Sequence, residues 1–97
     1  MVLSKHPLDT RVRELDRRGI AEAIRLAIIG ELDAINLYLQ MASVVKDPLV
    51  KKVLEDIAYE EKIHVGELLE ILKIIDEEQE KALVHGRREV EDLRKTL

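Results

Sequence analysis

The 97-residue chain contains no Cys, Trp or Phe, and only two Tyr, two Pro and four Gly. Without Cys there can be no disulfide framework and no Cys-ligated zinc or iron–sulfur site. With so few aromatics, packing falls to Ile, Leu, Val and Ala, and little remains to line a pocket for a flat organic substrate. The most apolar stretch, Leu26–Ile29, is far short of the roughly 20 residues that span a bilayer. Met1–Thr10 holds a Lys, a His and a Pro but no apolar run of signal-peptide length, so the expectation is a cytoplasmic protein with no membrane partner. A formal net charge of −4 gives no general attraction for nucleic acid. No Gly-rich phosphate loop or Ser–His–Asp arrangement is present.

What is present reads as one small all-α domain over 1–97. Residues 1–19 form a polar N-terminal segment with a short helical turn around Arg11–Arg17, punctuated by Gly19. A long helix is expected over 20–45. Asp47 and Pro48 then break the chain, Asp47 as a cap and Pro48 at the first position of a second helix over 48–75. Asp76, Glu77 and Glu78 look like the cap and acidic first turn of a largely polar third helix over 77–95, which Gly86 interrupts; a broken helix and a tail that orders only against a partner are the alternatives. The short turn at Asp47 sets the two long helices antiparallel.

Each long helix carries an apolar stripe with alternating steps of three and four residues, which keeps it on one face. The first runs Ile24, Ile28, Glu31, Ile35, Tyr38, Ala42, Val45; the second Val50, Leu54, Ile57, Glu61, His64, Leu68, Ile71, Ile75. Glu31, Glu61 and His64 thus stand where core residues belong, and an unpaired carboxylate there is costly. Glu31 lies sixteen residues before Asp47, while Glu61 and His64 lie fourteen and seventeen after it. At about 1.5 Å per residue the three share one height of the hairpin. Carboxylates with an imidazole suit iron, manganese or zinc. Carboxylate-bridged dinuclear bundles take a Glu from each of two helices and a Glu-x-x-His from each of two others. This hairpin supplies half of that set, so two copies complete it. Four carboxylates then balance two divalent cations, with two neutral His64 rings beside them. A dimer also covers a second apolar stripe through Leu26, Ile29, Leu32 and Leu39. The rival reading is a helical scaffold module whose inward charges fix register without metal.

The run from Gly30 to Tyr38 and the run from Glu60 to Glu67, with Glu31, Glu61-x-x-His64 and a Tyr seven residues after the first Glu, resemble the encapsulated ferritins. These are short ferritin-like cargo proteins of encapsulin nanocompartments, and the likeness covers roughly 24–75. The resemblance implies an antiparallel hairpin plus a short C-terminal helix, completing a four-helix bundle by dimerisation. It implies a ferroxidase that oxidises Fe²⁺ with dioxygen at a di-iron site between two chains, one iron per chain, and feeds a mineral inside the shell. It implies rings of dimers such as a decamer, and an encapsulin shell protein as partner. By the same likeness Glu61 bridges the metals, Glu31 and His64 are terminal ligands, and Tyr38 sits beside the site. Asp33 matches an acid of a metal entry site in some members, but Gly30 and Leu37 replace its usual acidic and Trp companions. The end, Asp92–Leu97, lacks the apolar docking tag of many cargo members, which points to a removed tag or a chain fused to its shell. A rubrerythrin-like peroxidase would use the same ligands with peroxide as oxidant. His6 and His85 are isolated and expected to be exposed.

Overall fold

The computed structural model describes residues 16–97. They form three helices, α1 Arg17–Val44, α2 Pro48–Ile75 and α3 Glu77–Lys95, with no strand among them. The helical turn expected around Arg11–Arg17 falls largely outside the described residues. α1 starts three residues before the expected point, and Gly19 does not punctuate it. The reason is Asp16, whose carboxylate accepts the Gly19 amide at 2.8 Å and caps the first turn. Gly86 likewise leaves α3 unbroken.

At the closed end, Asp47 caps α2 by accepting the amides of Leu49 and Val50 at 2.9 and 3.2 Å, with Pro48 at the first helical position. Lys51 donates its Nζ to the Ala42 carbonyl at 3.0 Å, closing the end of α1. At the open end, Arg17 donates from Nε to the Ile75 carbonyl and from Nη2 to the Ile74 carbonyl, both at 2.9 Å. The two 28-residue helices are therefore stitched antiparallel at both ends.

The core is thin. Buried apolar residues are Ala21, Ile35, Ala42, Leu54, Ala58 and Leu72, of which half are Ala. No helix-α3 residue is buried. Ile29, Leu32, Leu39, Val50, Val53, Ile63 and Ile71 remain exposed along the hairpin. The radius of gyration, 17.2 Å, exceeds the roughly 13 Å of a compact 100-residue domain. The single chain thus leaves its apolar stripes largely uncovered, as a half-bundle does. No helix is long and apolar enough to cross a membrane among the described residues.

α3 packs on α2 and is tied to α1 through Arg25, which pairs with Asp76 and donates from Nε to Gln79 Oε1 at 3.3 Å. Asp76 accepts the Gln79 amide at 3.0 Å. That bond, assisted by Arg25 and opposed by partial burial, holds the Asp76 carboxyl below the usual carboxylate range. A depressed pKa contributes stability that is fully present above the unfolded value and is lost as pH falls through the folded one. The anchoring of α3 is therefore expected to weaken only in acid, below the ordinary Asp range. Amide exchange of Glu80–Val84 measured along a pH series, corrected for intrinsic rates, checks this. Asp76→Asn should flatten the dependence, and an identical profile in that variant would contradict it.

Candidate metal centre

Glu31 projects from the middle of α1, and Glu61 and His64 from the middle of α2. Three residues apart on one helix, Glu61 and His64 are neighbours. His64 Nδ1 lies 3.4 Å from Glu61 Oε2 and 3.6 Å from Glu31 Oε2. One ligand atom from each residue falls within 4.8 Å of the others, and no further acid or His joins the group among the described residues. The carboxylate side chains are 25% and 20% exposed, while His64 is 47% exposed. The site is thus walled by helix on one side and open on the other.

These separations are informative. Charge-assisted hydrogen bonds run at about 2.7–2.9 Å, so 3.4 and 3.6 Å are long for direct bonding. Two ligand atoms each about 2.1 Å from one ion, at tetrahedral angles, stand roughly 3.4 Å apart. Glu31 Oε2 is buried and has no hydrogen-bond partner. A buried acceptor left in this state costs about 1–3 kcal/mol, more when charged. The donor set fits a divalent first-row cation: two carboxylates and one imidazole, with one oxygen otherwise unsatisfied. Because Nδ1 faces both carboxylates, His64 can act as a ligand there only with its proton on Nε2.

The structure brings Glu31, Glu61 and His64 together and leaves the other singled-out residues apart. Tyr38 is half-buried two turns along α1, and no hydrogen bond joins its hydroxyl to either carboxylate within the chain. Asp33 is exposed, two positions past Glu31 and so on another face of α1. His85 sits exposed on α3, 3.0 Å from Glu89, and His6 lies outside the described residues.

Comparison with known proteins agrees with this arrangement. The rubrerythrin family matches residues 22–96. The crystal structure of the encapsulated ferritin domain from Pyrococcus furiosus superposes with a TM-score of 0.83 at 48% identity, covering 87% of this chain and 86% of that one. The chain belongs to the encapsulated ferritin family. Among curated relatives of this encapsulated ferritin, a ferritin-like–encapsulin shell fusion protein of Pyrococcus furiosus is 47% identical over 93 residues, 95% of this chain. An encapsulin nanocompartment cargo protein of Myxococcus xanthus is 33% identical over 82 residues, 84% of this chain. The chain spans 27% of the first relative's length and 61% of the second's.

If the three residues form a metal centre, Glu31 carries opposite consequences in the metal-free and loaded protein. Glu31→Gln removes a buried, unpartnered charge, so the metal-free variant should melt at a higher temperature than the parent. The parent should gain about 2.7 kcal/mol at a free Fe²⁺ concentration 100-fold above its Kd, and the variant should lose most of that gain. Thermal unfolding under anaerobic conditions measures both, and equal stabilisation of the two proteins by Fe²⁺ would contradict the assignment.

Proposed function

We propose that this encapsulated ferritin is a ferroxidase, oxidising Fe²⁺ to Fe³⁺ at a di-iron site that two copies of the chain complete. The observation that carries this reading is the orphaned Glu31 oxygen beside Glu61 and His64, at mid-hairpin on a face too apolar to remain uncovered. One chain offers two carboxylates and one imidazole, and a second copy doubles the set to the four carboxylates and two imidazoles of a dinuclear carboxylate centre.

Fe²⁺ is the substrate: two ions would give one electron each to one dioxygen, which takes up two protons and leaves as hydrogen peroxide. The chain's own residues supply the rest. Glu61 would be the carboxylate shared between the two ions. Glu31 and His64 are terminal, Glu31 bringing the negative charge that favours the ferric product. Four carboxylates would balance the charge of two Fe²⁺ ions. The half-exposed His64 ring gives the site a wet side through which a hydrated cation can arrive. The hairpin encloses no chamber, so the ferric product needs an outside container. The names of the relatives, a shell fusion and a nanocompartment cargo protein, support an encapsulin shell as that container. Assembly as a dimer, joined into a ring of dimers such as a decamer, is part of the same reading, as is a location inside the shell within the cytoplasm. Tyr38 is assigned to the neighbourhood of the site and Asp33 to the surface.

The rubrerythrin family match favours a second reading, a di-iron peroxidase using peroxide in place of dioxygen. Stopped-flow oxidation of Fe²⁺ with either oxidant separates the two. Faster turnover with dioxygen is expected. Glu61→Ala is expected to abolish fast Fe²⁺ oxidation while the helical signal in circular dichroism is retained. Oxidation by Glu61→Ala at the parent's rate would sink both readings and leave a register-fixing scaffold.

A further inference from the structure

The corner between α2 and α3 is a single residue. Asp76 alone departs from helical geometry, with φ −126° and ψ 93°, between a 28-residue helix and a 19-residue one. The local break signal is Asp76 with the acids that follow it: no Gly or Pro lies between Gly66 and Gly86, and the other residues from Leu68 to Leu83 are mostly strong helix formers. Continued straight, Pro48–Lys95 would make one helix about 72 Å long, against a longest extent of 48 Å for the folded chain.

A continuous helix would pair the Glu78 amide with the Ile74 carbonyl and the Gln79 amide with the Ile75 carbonyl. Three of these four groups are engaged elsewhere. Arg17, reaching across from the start of α1, occupies both carbonyls at 2.9 Å. Asp76 takes the Gln79 amide at 3.0 Å. Arg25, two turns further along α1, pairs with Asp76 and donates to the Gln79 side chain at 3.3 Å, fixing the cap in place. Apolar contact contributes less, since no α3 residue is buried against α2.

We infer that Arg17 and Arg25 are positioning residues forming a polar latch with Asp76 and Gln79, which holds α3 bent away from a continuation of α2. The latch is set from α1, more than fifty residues upstream, so the direction of α3 is a tertiary decision. Glu77, Glu78 and Glu80 in the first turn of α3 reinforce the bend by favouring a helix N-terminus there. The latch holds whether or not the metal reading is correct, because none of its residues belongs to the Glu31–Glu61–His64 group.

Residue-resolved amide exchange on the full chain tests it. In Arg17→Ala/Arg25→Ala the Glu78 amide should exchange about tenfold more slowly than in the parent, as it gains a backbone partner in a continuous helix. Asp76→Ala, which releases the Gln79 amide instead of the carbonyls, should slow Glu78 as well. Loss of an ordinary stabilising contact would speed exchange, so the sign separates a latch from a simple brace. Unchanged or faster exchange at Glu78 in both variants, including exchange accelerated by loss of helix content, would overturn the inference.

Discussion

One buried carboxylate oxygen organises the account. Glu31 Oε2 lies between two packed helices without a hydrogen-bond donor, 3.6 Å from an imidazole nitrogen that itself lies 3.4 Å from a second carboxylate. Two carboxylates side by side in a half-buried groove repel each other, and no Lys or Arg pairs with either of them among the described residues. The surrounding stripes of Ile, Leu and Ala gain by approaching one another, while the acids resist it. A cation bound there, as proposed, would resolve the conflict, converting the least favourable point of the interface into an attractive one. The hairpin is then held by two sets of forces: side-chain caps at its ends and a charge cluster at its waist.

The thinness of the core gives that cluster its leverage. A pair of helices whose buried side chains are half Ala cannot be stabilised far by its own packing, and exposed Ile29, Leu32, Leu39, Val50 and Ile71 await a partner. The candidate site and the uncovered face coincide, so in the proposed reading closing the bundle would also complete the metal ligands, and loss of Glu31 or Glu61 would alter stability, assembly and metal uptake together.

The hairpin was legible because its determinants are local. Asp47 and Pro48 mark the turn, and stripes of alternating three and four fix which face turns inward. The shared height of Glu31, Glu61 and His64 followed from counting residues either side of Asp47, since antiparallel helices with a short turn preserve that count. The start of α1 was less legible: Gly19 suggests a break unless the capping carboxylate of Asp16 is weighed against it. The direction of α3 could not be read, as it depends on arginines distant in the chain. Nor does the sequence fix what Tyr38 does, because its neighbours are set by whatever covers the open face.

Native mass spectrometry of the purified chain, before and after anaerobic loading with Fe²⁺, addresses the split centre most directly. A split di-iron centre requires an even-numbered assembly that takes up one iron per chain and loses that uptake in Glu61→Ala. A metal-free assembly that ignores Fe²⁺ would contradict it and assign the aligned acids a structural role.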